Sequence, residues 1–129
     1  MPMTMLPAVK TETFSLNEHP VAGIERRNGA AIIHLLGELD LYNAPEVRSA
    51  LLELCAEQPE RLVVDLAEVS FVDSTALGVL IEARSKVANG RSFLLAAPGL
   101  ETHRALTISG LDQHLAVHDS TDAALDAEL

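Results

Sequence analysis

Aspartate followed by two hydroxyl residues, at a point where an apolar strand gives way to a helix, is the clearest site for chemistry in this chain. Val69–Leu80 reads VSFVDSTALGVL, and Asp73 and Ser74 fall at that junction. Either side chain can accept a hydrogen bond from the orphan amides of a first helical turn. Those amides also carry the positive end of the helix dipole, which attracts anions. A phosphate on Ser74 would sit in a mildly favourable local field, worth about 0.3–1 kcal/mol. Toward an approaching partner it would add roughly −1.5 to −2 units of charge at pH 7. Phosphorylation there can act by bulk and repulsion at a surface without unfolding the domain. Gly78, one turn on, lacks a side chain and lets another backbone come close. Close packing inside the domain is the alternative use of that glycine.

The same tripeptide recurs at Asp119-Ser120-Thr121, again ahead of a helical pattern. Helix capping alone can produce it, so local chemistry does not separate Ser74 from Ser120, and both can be no more than caps. A nucleophilic Ser74 would need a base within hydrogen-bond reach, and no histidine stands near it in sequence. His114 and His118 are four apart, which could set both on one side of a strand. Two imidazoles without a third ligand make no metal site. His19, His34 and His103 are scattered and read as surface or half-buried side chains. Cys55 follows an apolar helix stripe and reads as a small core residue. The phosphate-binding glycine loop, the dinucleotide fingerprint, the G-x-S-x-G elbow and H-E-x-x-H are absent from the sequence.

Composition narrows the partners. The 129 residues amount to one domain, and 48% are hydrophobic, enough for a core. Lysine and arginine number 9 against 19 aspartates and glutamates, a net charge of −10. Such a chain repels nucleic acid and anionic lipid, and the charge suits a cationic partner or simple solubility. With 3% aromatics, a base-stacking platform is not expected either. One cysteine excludes an internal disulfide and fits a reducing compartment. The first ten residues, MPMTMLPAVK, lack the basic-then-apolar pattern of a secretory signal. No stretch reaches the roughly 18 apolar residues of a membrane span. A cytoplasmic protein is expected.

The elements that position Ser74 follow from hydrophobic period and turn signals. Residues 1–12 read as a flexible tail, although TETFSL at 11–16 alternates weakly enough to add an edge strand. The folded domain is expected over 13–129. Val21–Arg26 and Ala30–Leu36 form strands around Asn28-Gly29, a pair that favours a tight hairpin. AIIHLL is apolar enough to lie mid-sheet, covered on both faces. Asn43 can cap a helix, with Pro45 in its first turn and Glu46 placed as in a capping box. Val47, Ala50, Leu51 and Leu54 make one apolar stripe on that helix. RLVVDL reads as a buried strand, 74–88 as a helix, and Arg91–Ala97 as another strand. A helix over 100–109, closed by Gly110, precedes a strand over His114–His118 and a last helix over Asp119–Leu129. Strands alternating with helices predict parallel pairs. The fold class is therefore α/β: a mixed central sheet, about four helices and an opening β-hairpin. Leu77, Leu80 and Ile81 form one apolar set on the second helix, and Ala76, Val79 and Ala83 another. One set must face the sheet; a partner or a neighbouring helix covers the other.

Two stretches, taken together, go beyond local physics. Gly37-Glu38-Leu39-Asp40 ends a central strand ahead of the helix with Pro45, and Val69–Leu80 follows at a suitable distance. With Ser109-Gly110-Leu111 near the third helix, they resemble the STAS domain of bacterial anti-sigma factor antagonists over about residues 13–127. Ala76 stands where that family often has glycine, and a small residue is kept. The resemblance implies a binding module and not an enzyme. Unphosphorylated, such a module holds an anti-sigma factor, often of the GHKL serine-kinase type, and frees a sigma factor to join RNA polymerase. The kinase modifies the first serine after the aspartate, binding is lost, and a serine phosphatase restores it. By position, Ser74 is the phosphoacceptor and Thr75 a secondary candidate. Asp40, Asp73, Ser74, Thr75, Ala76 and Gly78 would belong to the partner-binding surface. The kinase would bring ATP and Mg²⁺, so no cofactor or metal is expected in this chain. An alternative with the same fold is a STAS subunit of another complex, either a stress-signalling assembly or a lipid-transport ATPase. A small hydrolase using Ser74 or the histidines would instead need a deep polar pocket with a histidine against Ser74.

Overall fold

In the computed structural model, which describes residues 19–129, Asn28 and Gly29 adopt φ of +49° and +87°. Those left-handed values are what a two-residue hairpin requires. The turn joins β1 (Val21–Arg27) to β2 (Ala30–Leu39) in antiparallel pairing. There follow α1 (Ala44–Ala56), β3 (Arg61–Val72), α2 (Ser74–Lys86), β4 (Phe93–Ala96), α3 (Leu100–Ser109), β5 (Ala116–His118) and α4 (Thr121–Asp126). The five strands lie in the order β1-β2-β3-β4-β5, and every pair after the hairpin is parallel. Among the described residues this is the expected mixed sheet with four α-helices.

Parallel crossovers are right-handed almost without exception, and these step the same way across the sheet, which sets successive helices on one face. Val47, Leu51 and Leu54 of α1, Leu77, Leu80 and Ala83 of α2, and Leu106 of α3 accordingly share one cluster with Leu35, Val64 and Leu95. Ile32, Val63 and Leu94, which point the other way, pack with Ala124 of α4. The apolar AIIHLL run is thereby covered on both faces, as expected. Cys55 is buried in the larger cluster. Both apolar sets of α2 are also covered within the domain, Ile81 in part, and α1 packs beside α2.

Several boundaries differ from the sequence reading. β2 and β3 run on to Leu39 and Val72, where Gly37, Glu38 and Leu39 pair with Val69, Phe71 and Val72. Two register shifts make this pairing possible, one of them at Gly37, whose φ is +77°. Ala67 and Glu68 break the apolar run of β3 and hide its second half from period alone. Arg91 and Ser92 belong to a turn that Asn89 Oδ1 holds through the Arg91 amide, and not to β4. His114 follows a turn over Leu111–Gln113, so β5 starts only at Ala116. α4 is shorter than Asp119–Leu129. The expected tail and the weak strand at 11–16 lie outside the described residues.

On the α4 side of the sheet, His34 lies between Asp65 of β3 and Glu25 of β1. Its Nδ1 is 2.6 Å from Asp65 Oδ2 and its Nε2 is 2.7 Å from Glu25 Oε1. A neutral imidazole donates from one nitrogen only, so two carboxylate partners favour the imidazolium. Burial alone would lower the His34 pKa; the hydrogen bonds to Asp65 and Glu25 outweigh it and hold it above the ordinary 6.5. Glu25 is held below 4.5, chiefly by the His34 hydrogen bond and then by Arg27. A raised histidine pKa stabilises the fold fully below pH 6.5, and that contribution fades as pH rises through the folded-state value. The Glu25 contribution runs the other way, fading only as pH falls through its lowered value. The urea midpoint of wild type should therefore exceed that of His34→Gln at about pH 6, with the gap closing toward about pH 9. A gap constant over that range would contradict the ion-pair assignment.

Candidate functional site

Because β2 and β3 are parallel, their C-terminal ends emerge side by side, Leu39 opposite Val72. One residue further, the Asp73 amide donates to the Leu39 carbonyl at 3.0 Å. Asp73 has an extended backbone and caps α2, its Oδ1 accepting from the Ala76 amide at 2.9 Å. Its Oδ2 accepts from the Leu41 amide at 3.0 Å. A single carboxylate thus caps the helix that carries Ser74 and clamps the neighbouring loop.

That loop is braced from within. Asp40 Oδ1 accepts from the amides of Tyr42 and Asn43, at 2.9 and 3.2 Å. Asn43 Oδ1 accepts from the Asp40 amide at 2.9 Å, and its Nδ2 donates to the Glu38 carbonyl at 2.7 Å. This corrects the expectation for Asn43: it occupies the cap position of α1 but makes no side-chain cap, and no capping box forms with Glu46. Its amide group is consumed in holding the GELD segment. Pro45 does stand at the start of the helix.

The two Asp-Ser-Thr copies are distinguished by register. At the first copy the aspartate is the cap, which leaves Ser74 at the first helical position, exposed, with its hydroxyl unbonded among the described residues. At the second the cap is one residue later: Ser120 Oγ accepts from the Ala123 amide at 3.0 Å. The Ser120 hydroxyl is committed, and the Ser74 hydroxyl has no partner among the described residues.

Thr75 is exposed beside Ser74. Gly78 is exposed on the same helix, and a Cβ added there would meet nothing within 4 Å, so internal packing does not explain this glycine. Ala76 is 3% exposed and turned into the core. Asp40 and Asp73 are half-buried. Glu38, exposed near the end of β2, adds negative charge two residues before Asp40, whereas Glu46 is 3.2 Å from His19 Nε2. Arg48 is spent on Glu82, through hydrogen bonds of 2.7 and 2.6 Å. Leu41 and Tyr42 also belong to this surface, and sequence period gave no sign of them. The signal was the Asp40-x-x-Asn43 spacing, which suits side chains that fold back onto nearby amides.

Among the described residues no histidine hydrogen-bonds Ser74. His114 and His118 instead line a cavity of about 400 Å³ with Arg84 and Arg91, and Ser74 is not part of its lining. No group of three or more histidine, cysteine, aspartate or glutamate side chains among the described residues could hold a metal ion. No helix among them is long and apolar enough to cross a membrane.

Comparison with known proteins bears on the family and the fold. A family model described as the STAS domain matches residues 22–124. The chain is 33% identical over 98 residues to the anti-sigma-F factor antagonist RsfB of Mycobacterium tuberculosis, covering 76% of this chain and 80% of that one. It is 32% identical over 105 residues to an anti-sigma F factor antagonist of Paenibacillus polymyxa, covering 79% and 89%. The crystal structure of an anti-sigma factor antagonist from Mycobacterium paratuberculosis superposes with a TM-score of 0.75 at 30% identity, over 79% of this chain and 87% of that one.

Proposed function

The chain belongs to the STAS domain family, and we propose that it is an anti-sigma factor antagonist whose docking is switched by a phosphate on Ser74. Unmodified, it holds an anti-sigma factor and so releases a sigma factor. The observation that carries this reading is the exposed Ser74 hydroxyl at the first position of α2, left without a partner among the described residues because Asp73 caps the helix. The partner is a serine kinase of the GHKL type, which supplies its own ATP and Mg²⁺, and a serine phosphatase reverses the step. The action is cytoplasmic. Asp40, Asp73, Ser74, Thr75 and Gly78 face the partner, and on α2 itself the small residues Thr75 and Gly78 leave a kinase cleft room to reach the Ser74 hydroxyl. Thr75 is the fallback acceptor.

Incubation with the cognate kinase and ATP, followed by mass-spectrometric mapping, tests this. Phosphate should appear on Ser74, and Ser74→Ala should take up almost none. Labelling of Ser74→Ala equal to wild type would refute the site. Recovery of a transport ATPase in place of an anti-sigma factor in pull-downs would move the chain to a different STAS complex.

A further inference from the structure

Two large apolar side chains stand out from the surface beside Ser74. Leu41 is 62% exposed and Tyr42 90%. Single exposed hydrophobics are common on protein surfaces. This pair differs in how it is held. Every backbone amide from Asp40 to Ala44 has an acceptor: Asn43 Oδ1, Asp73 Oδ2, Asp40 Oδ1 twice, and the Asp40 carbonyl. A loop with its backbone so bonded presents its side chains with little further ordering to undergo on binding. Tyrosine and leucine held out in this way form a preorganised apolar knob, and tyrosine is among the residues that most often dominate interface energetics.

We infer that Leu41 and Tyr42 are the apolar anchor of the surface that Ser74 gates, and that the anti-sigma factor receives them in an apolar recess rimmed by basic side chains. The inference rests on the reading of Ser74 given above. Two observations select this occupant. The first is continuity: the Leu41 amide is bonded to Asp73, the residue directly before Ser74, so the knob and the gate share one carboxylate. The second is charge: Asp40 and Asp73 bond the knob's own amides, Glu38 is exposed just ahead of it in the chain, and Arg48 is paired with Glu82. Leu100 and Ile108 of α3 are as exposed, at 67% and 84%, but no shared contact ties them to Ser74. The knob supplies affinity by burying apolar area, and the phosphate removes it by setting like charge against the partner.

Asp73 is the positioning residue. Asparagine caps a helix as well as aspartate does, but it offers one acceptor oxygen where Asp73 uses two. Asp73→Asn should keep α2 capped while the Leu41 amide loses its acceptor.

The test is the dissociation constant of the purified kinase that labels Ser74, measured with wild type and variants of this chain. Leu41→Ala and Tyr42→Ala should each weaken binding by roughly 10- to 100-fold, with Tyr42→Phe within about threefold of wild type. Melting temperatures should stay unchanged, because both side chains are exposed. Asp73→Asn should weaken binding less, with its melting temperature kept. If both alanine variants bind like wild type while Ser74→Glu does not, the anchor is refuted and the gate stands. If Leu100→Ala or Ile108→Ala weakens binding in their place, the anchor lies on α3 and the inference is overturned. If the kinase binds no form of the chain, the gate falls and the anchor with it.

Discussion

Ser74→Glu is expected to weaken the complex with the anti-sigma factor by roughly a hundredfold or more, while leaving the domain folded. The two halves of that result have separate causes. Ser74 occupies the first position of α2, whose first turn holds no acidic residue. A carboxylate there meets the positive end of the helix dipole, a local gain of about 0.3–1 kcal/mol. Its side chain is exposed, so nothing in the core must move. At the interface the same charge joins Asp40 and Asp73, and an unpaired or like charge trapped at a docking face costs several kcal/mol, with 1.4 kcal/mol for each tenfold. Phosphate, at roughly −1.5 to −2 charges, should act more strongly than glutamate. Part of the penalty is screened, so added salt should narrow the gap between variant and wild type. Ser74→Ala should bind as wild type does and no longer respond to the kinase. A glutamate variant that binds normally would remove the electrostatic basis of the gate.

Leu80→Ala should have the largest effect on stability, a loss of about 2–5 kcal/mol by chemical denaturation. Leu80 is 1% exposed and lies in the cluster that joins α2 to α1 and the sheet. Truncation removes buried apolar surface and leaves a cavity that two helices and a sheet close only partly. Against a typical total of about 5–15 kcal/mol, that is enough to populate unfolded chain near physiological temperature. The folded fraction should still bind the anti-sigma factor with wild-type affinity, since Leu80 is turned away from the docking face. A loss below about 0.5 kcal/mol would mean that α2 is not seated as described.

Much of the fold was legible because its signals are short-range. Asn28-Gly29 needs left-handed backbone wherever it occurs, and Gly110 closes α3 with φ of +77°. The α1 stripe of Val47, Leu51 and Leu54 is a matter of helical period, and all three are buried. Features that depend on two distant segments were not legible. The salt-bridged His34 exists only because strand register sets Asp65 beside it and Glu25 one pleat away. The second half of β3 is a strand only because the tail of β2 pairs with it. Asn43 looked like a cap and became a brace for Asp40, a choice decided by where the strand end delivers the chain. At the candidate site, sequence placed Asp73 and Ser74 at a helix start but left Ser74 level with Ser120. The two were separated by a one-residue difference in which side chain takes the cap, a difference that no local propensity encodes.

The most direct measurement is calorimetric titration of the anti-sigma factor with one preparation of this chain in three states: unmodified, phosphorylated to completion on Ser74, and treated afterwards with phosphatase. Binding should be tight in the first state, weaker by a hundredfold or more (roughly 3 kcal/mol) in the second, and fully regained in the third. Equal affinity in all three states would contradict the proposal that the Ser74 hydroxyl gates docking.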